Sequence, residues 1–314
     1  MAQEAIPASR GLLKGMNATP LPVQIEQDGP TAGIATLTLE QPGKPVVVLE
    51  LEVFQRLEAA LKALPRNLVG LVIASASERV FVAGADLKSI MDMSDEQLDK
   101  YLQYGSRVFQ MIADLPYPTA AAIGGAALGG GLELAMHCDG LIGAPSASGK
   151  PYPVGLPEAG LKICPGWGGT NLLPARIPAA DAIRRTASGT PMMFDDARAA
   201  GLFDAVAPSA GDLLATAKAW VKDQASRRSE RDGAPSRWIG RSRFAKPVIE
   251  AADALRAEVS AAEPGKAVLE AVNEGLLRGY DAALAVERRQ LIRLRNLPEA
   301  RDAIAAFFAK SAKK

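Results

Sequence analysis

The stretch "AAAIGGAALGGGLELAMHC", residues 120–138, constrains this 314-residue chain more than any other. An apolar run of that length either crosses a bilayer as a helix or is buried inside a folded core. Glu133 breaks the run and five glycines interrupt it, where a spanning helix would carry Leu or Ile. The stretch therefore reads as a buried strand, a glycine turn and the start of a helix. A core able to bury both needs layers of other elements on either side.

The flanking sequence supplies those layers. "ATLTLEQ" (35–41) alternates like a strand, Pro42-Gly43 marks a turn, and "PVVVLE" (45–50) is expected to be a second strand. Val53, Leu57, Ala60, Leu61 and Leu64 fall at helical spacing, and "LVGLVIAS" (68–75) returns to strand. Ser94 and Gln97 form a capping box opening a helix with Leu98, Tyr101, Leu102, Phe109 and Ile112 on its apolar face. Pro116 and Pro118 stop it; "TAAAIGG" is then strand-like, "GLELAMHC" helix-like and "DGLIGAP" strand-like. Strands alternating with helices predict an α/β layered core. From about residue 180 the spacing is helical throughout and predicts an all-helical tail. The expected organisation is a flexible N-terminal tail over 1–20, a core over 21–205 and a helical C-terminal region over 206–314. The basic, aperiodic segment 226–244, "SRRSERDGAPSRWIGRSRF", reads as a solvated connection between helices, because Glu230 and Asp232 dilute its arginines.

Composition excludes several classes. A net charge of +1 gives no global reason for a nucleic-acid or membrane partner. Cys138 and Cys164 are the only cysteines, too few for a disulfide framework, and imply a reducing compartment. The first 20 residues hold Glu4, Arg10 and Lys14 without an apolar block, so cytoplasm is the expected location. His137, the only histidine, has no GxSxG nucleophile motif with it and reads as a core or supporting residue. Both cysteines lack a CxxC partner or a neighbouring base and read as packing residues.

A second glycine feature is "FVAGADLKSI", residues 81–90, where Ala83-Gly84-Ala85 sits at a strand end that Val or Ile would pack better. Gly129–Gly131 likewise stands between strand and helix, where backbone N–H groups are unpaired and attract negative charge. A phosphate, an oxyanion developing during chemistry and a plain tight turn are the three readings. GxGxxG and GxxxxGK[ST] are both absent, so the nucleotide motifs fail.

"FVAGADLKSI", "AALGGGLELAMHCD" and "VGLPEAGLKICPGWGGTNLLPARI", in that order, resemble the enoyl-CoA hydratase/isomerase (crotonase) family over about residues 30–205. The tail "NEGLLRGYDAALAVERRQLIRLRNLPEARDAIAAFF" is similar, more weakly, to the end of the hydratase portion of multifunctional fatty-acid oxidation enzymes. The resemblance implies a crotonase-like spiral of repeated β-β-α units with a helical C-terminal region, assembled as a homo-oligomer, a trimer or hexamer. It implies that the N–H groups of Ala85 and Gly130 form an oxyanion hole for a thioester carbonyl. Ala83, Gly84, Asp86, Lys88 and Lys310 are then expected at the coenzyme A moiety, the two lysines at its phosphates. Glu133 and Glu158 match the family's catalytic pair, and two carboxyls in one small site cannot both ionise easily. The implied reaction is syn addition of water to a 2-enoyl-CoA, with 3,2-isomerase activity as a side reaction and no metal or redox cofactor. About five extra residues between Asp139 and Glu158 depart from the family pattern and bear on substrate choice. A crotonase-fold thioester hydrolase or lyase, and a non-catalytic CoA-ester or RNA-binding scaffold using 226–244, are the alternatives.

Overall fold

A computed structural model describes residues 18–226 and 231–311. The expected tail over 1–20 falls largely outside them, as does part of segment 226–244. The chain winds as a spiral in which each turn lays one strand in a large sheet, one in a small sheet, and then a helix.

The first turn starts with β1 (Val23–Ile25) and β2 (Ile34–Leu39), and ends with α1 (Leu51–Ala63). "PVVVLE" lies where a small-sheet strand would be, but it forms no named strand. Only Leu49 bridges to Ala85, with Leu49 N–H donating to Gly84 C=O and Ala83 N–H to Val47 C=O. The Val48 N–H, which points to the opposite edge, donates to the Gln41 side chain at 3.0 Å.

Full turns follow. β3 (Gly70–Ser75) and β4 (Val80–Val82) lead into α2 (Leu87–Asp92) and α3 (Asp95–Ala113). The Ser94–Gln97 capping box is formed in both directions. β5 (Thr119–Ile123) and β6 (Ala126–Leu128) lead into α4 (Gly130–Met136). β7 (Gly140–Gly143) and β8 (Pro153–Gly155) lead through a 3₁₀ turn at Glu158–Leu161 into α5 (Gly169–Leu172) and α6 (Ala179–Ser188). The apolar stretch 120–138 is thus strand, turn, strand and a two-turn helix. Among the described residues no helix is long and apolar enough to cross a membrane.

The tail departs from its uniform helical expectation. β9 (Met192–Met193) precedes α7 (Phe194–Ala199), and β10 (Ala205–Val206) pairs in parallel with β7. The large sheet runs β1-β2-β3-β5-β7-β10 and the small one β4-β6-β8-β9, parallel except at β1-β2 and β8-β9. Then come α8 (Leu213–Gln224), α9 (Ser242–Val259), α10 (Glu263–Arg278), α11 (Tyr280–Arg295) and α12 (Pro298–Ser311).

Side chains alternate across the large sheet, as a period of two requires. Leu71, Ile73, Ala121 and Ile123 face the main core, while Val72, Ala74, Ala120 and Ala122 face Ala217 and Val221 of α8. Helix α8 is therefore the lid of the sheet's second face. Tyr280, Leu284, Leu291 and Leu294 of α11 enter the main core. Between α8 and α9, the described arginines bind carboxylates of the same chain: Arg231 on Asp139 at 2.8 Å, Arg241 on Asp232, and Arg237 on Asp204.

Candidate active site

A cavity of about 420 Å³ opens between the two glycine segments and the last two helices. Ala83, Gly84 and Ala85 form one wall, and Gly129, Gly130 and Glu133 another. Glu158 lies on its floor, with Leu87, Ile90, Leu102, Leu291 and Phe307 making the apolar remainder.

The question of the bare alanines and glycines is answered locally. Gly84 has φ +99°, a conformation that strains any residue with a Cβ, and a Cβ there would lie 3.2 Å from Leu128 C=O. That turn brings Ala85 to the cavity edge. Gly129 has φ +54°, and a Cβ on it would lie 2.7 Å from Glu158 Oε1. The backbone N–H groups of Ala85 and Gly130 donate to no backbone or side-chain acceptor among the described residues. Two backbone donors without a partner among the described residues, both lining one cavity, can stabilise an oxygen on which negative charge develops.

The carboxylates are hydrogen-bonded unequally. Glu133 is 1% exposed, and its Oε1 accepts the N–H groups of Trp167 and Gly169, both at 2.8 Å. Glu158 keeps part of its surface at the cavity, but its Oε2 is buried without a hydrogen-bond partner among the described residues. Burial raises both carboxyls, Glu133 well above its ordinary value and Glu158 to about 8, where the charge of Glu287 adds to it. On Glu133 the charges of Glu287 and Glu158 add to burial, while its two N–H donors oppose them. A protonated Glu158 relieves the repulsion on Glu133, and the two donors favour the Glu133 anion. The two carboxyls thus differ in hydrogen bonding while sharing one buried site that favours their protonated forms.

The donors are held by the turn "GWGGT", residues 166–170. The Trp167 ring is buried among Phe54, Tyr101 and Phe109, and its Nε1–H donates to Leu102 C=O at 3.0 Å. His137 supports the same helix as Glu133. Its pKa is lowered by burial to about 4, so it is neutral: Nδ1 lies 2.8 Å from Glu133 C=O and Nε2 3.0 Å from the Tyr280 hydroxyl. Cys138 and Cys164 are free and buried, with burial pushing the Cys138 thiol up to about 12.

Of the residues expected from sequence, Ala83, Gly84, Ala85, Gly130, Glu133 and Glu158 come together at the cavity. Asp86 does not line it. Its carboxylate caps α2, accepting from the Lys88 N–H at 3.1 Å and the Ser89 hydroxyl at 2.5 Å. Lys88 on α2 and Lys310 on α12 are exposed, Lys310 one turn beyond Phe307. Despite the longer Asp139–Glu158 segment, Glu158 reaches the cavity. Tyr152 anchors that segment, its hydroxyl donating to Ala144 C=O at 2.7 Å and Ile123 C=O at 3.1 Å. Sequence reasoning missed a third buried carboxylate, Glu287 on α11, and the apolar wall of Leu291 and Phe307. A signal for Glu287 exists: positions 280, 284, 287, 291 and 294 form one helical stripe, apolar except for Glu287 and its hydroxyl-bearing first member, Tyr280.

A family profile described as enoyl-CoA hydratase/isomerase matches residues 29–231. The chain is 32% identical over 294 residues to a glyoxysomal fatty acid beta-oxidation multifunctional protein of Brassica napus and to a peroxisomal one of Arabidopsis thaliana. Each match takes in 88% of this chain but only 38% of the relative, so the chain spans about two fifths of those proteins. Among solved structures, an enoyl-CoA hydratase from Bacillus anthracis superposes with TM-score 0.58 at 24% identity, over 93% of this chain and 97% of that one. One from Mycobacterium avium subsp. paratuberculosis gives 0.62 at 21% identity, over 93% and 97%. At these identities the two structures bear on the fold alone.

Proposed function

We propose that this chain, which belongs to the enoyl-CoA hydratase/isomerase family, adds water across the 2,3 double bond of a 2-enoyl-CoA in fatty-acid beta-oxidation, the process named for its plant relatives. The observation that carries the reading is the unequal pair: one buried carboxylate bonded by two N–H groups and one without a partner, beside two free backbone donors.

In this reading the thioester oxygen accepts from the N–H groups of Ala85 and Gly130. Glu133 takes a proton from water as the water oxygen bonds to C3. The π electrons of the double bond move into the enolate, whose oxygen the two donors stabilise. Glu158 then delivers its proton to C2 on the same face. Substrate supplies the coenzyme A, and no metal or redox group takes part in the steps as written. Lys88 and Lys310 meet its phosphates. A 3,2-isomerase side activity would use Glu158 alone, taking a proton from one acyl carbon and returning it to another.

Self-association into a trimer or hexamer is supported by the exposed apolar side chains Leu277, Phe307 and Phe308, and sedimentation velocity tests it. A cytoplasmic location is supported by the two free, buried cysteines, and fractionation tests it against the glyoxysomal and peroxisomal assignments of the relatives. The deciding experiment follows the loss of the conjugated double bond's absorbance with short, medium and long 2-enoyl-CoAs. Hydration of one class is expected. Thiol release without hydration would replace this reading with thioester hydrolysis.

A further inference from the structure

The turn that holds Glu133 is gripped from both sides. Its four consecutive N–H groups alternate between two carboxylates: those of Trp167 and Gly169 point to Glu133, and those of Gly168 and Thr170 to Glu287. Gly168 N lies 2.5 Å from Glu287 Oε2, and Thr170 N lies 2.9 Å from Oε1. The Thr170 hydroxyl is a third donor to Glu287, bonding Oε1 at 2.5 Å. Glu287 is 1% exposed and belongs to α11, far along the chain from everything it touches here. It lines no part of the cavity, so it cannot touch substrate.

We propose that Glu287 is a positioning residue, which fixes the Glu133 carboxylate by locking the 167–170 turn from its opposite side. The reading rests on the hydratase function above and adds to it a residue that acts through Glu133. Three donors converge on Glu287 and nothing on this turn accepts from it, so the site requires a group that only accepts. An amide would place its NH₂ against one of those donors. The buried N–H groups could regain partners only by a change in the turn, because an unmet buried donor is costly. Any such change moves the Trp167 and Gly169 N–H groups that orient Glu133. The Trp167 ring, wedged among three aromatic rings, prevents the turn from shifting as a rigid unit. The distortion therefore falls on the backbone between donors.

The test compares Glu287→Gln, Glu133→Gln and the double variant in 2-enoyl-CoA hydration, with circular dichroism for folding and calorimetric binding of a saturated acyl-CoA. A displaced base of this kind costs about 10²-fold in turnover, so Glu287→Gln should lose that much in kcat with KM and acyl-CoA affinity changed by less than about threefold. If Glu287 acts through Glu133, adding Glu287→Gln to Glu133→Gln should lower kcat by no more than about threefold further, since residues acting as one unit are not additive. A folded Glu287→Gln with wild-type kcat, or losses that multiply in the double variant, would overturn the proposal and leave the hydratase reading intact. A wild-type chain that binds acyl-CoA without hydrating any 2-enoyl-CoA would overturn both. Should Glu287→Gln fail to fold, Glu287→Asp keeps an acceptor-only group on a shorter stem, and it should fold with reduced kcat and unchanged KM. Wild-type kcat in Glu287→Asp, or failure of both variants to fold, would make Glu287 purely structural and end the proposal.

Discussion

Replacing Glu158 by Gln removes one titrating group and leaves the shape of the cavity floor nearly unchanged. Burial, with the charge of Glu287 behind it, raises the Glu158 carboxyl from 4.5 to about 8. A carboxyl raised in the folded state binds its proton more tightly there than in the unfolded chain. The stability it contributes is complete below its unfolded value and is lost as the pH rises through about 8. At about 1.4 kcal/mol per pH unit, the whole interval is worth on the order of 5 kcal/mol. The Gln variant carries no charge at any pH and should lack this part of the decline. Denaturant unfolding of both proteins from about pH 5 to about pH 9 measures it, with wild-type stability falling more steeply than that of the variant. Glu133 and Glu287 titrate in both proteins, and because the Glu158 charge also raises Glu133, the difference between the two profiles reports Glu158 together with its effect on Glu133. The same titration should appear in catalysis. Wild-type kcat/KM should fall above about pH 8, where Glu158 has no proton left for C2. The variant should run about 10²- to 10⁴-fold slower throughout. Parallel stability profiles, or hydration by the variant at the wild-type rate, would refute the reasoning.

Other consequences are as direct. Ala85→Pro deletes one of the two free donors and should cost about 10²- to 10³-fold in kcat, read in the same absorbance assay on a folded protein. Gly129→Ala puts a Cβ 2.7 Å from Glu158 Oε1 at a φ of +54°, and should lose stability on the order of 1–3 kcal/mol together with hydratase activity. Normal unfolding and normal turnover in that variant would remove Gly129 from the account. Lys88→Ala and Lys310→Ala should each raise KM for the CoA ester and spare kcat; an unchanged KM in both would mean that these exposed lysines only meet solvent.

The parts of the fold that carry a strong local signal were legible in the sequence. The Ser94–Gln97 box, the apolar stripe of α1 and the strand–glycine–helix passage through 130 all rest on local chemistry. The rest depends on tertiary pairing. "PVVVLE" has every strand propensity, yet it forms one rung, because its partner segment turns away at Gly84. β9 and β10 have two residues each, too short for any period, and exist only because an edge strand was already there. The cavity's glycines and its two glutamates stood out as motifs. Asp86 was drawn to the ligand by its neighbours but serves the α2 cap. Glu287 was hidden for a different reason. In "AVERRQLIRLR" it is surrounded by arginines and looks like part of a solvated face, and only its place in the 280–294 stripe marks it as buried.

The grip of Glu287 on the 167–170 turn also sets an order of events in folding. It closes a loop of 119 residues, counted from Gly168. Contacts of such separation form late, after the spiral's own neighbouring strands have paired. At ribosomal rates of about 5–20 residues per second, the turn leaves the ribosome on the order of ten seconds before α11 exists to meet it. During that interval its donors face water and the cavity stands open on the side that Leu291 will cover. The sheets can thus pair before α11 closes the cavity, and its apolar wall stays accessible to a chaperone in between.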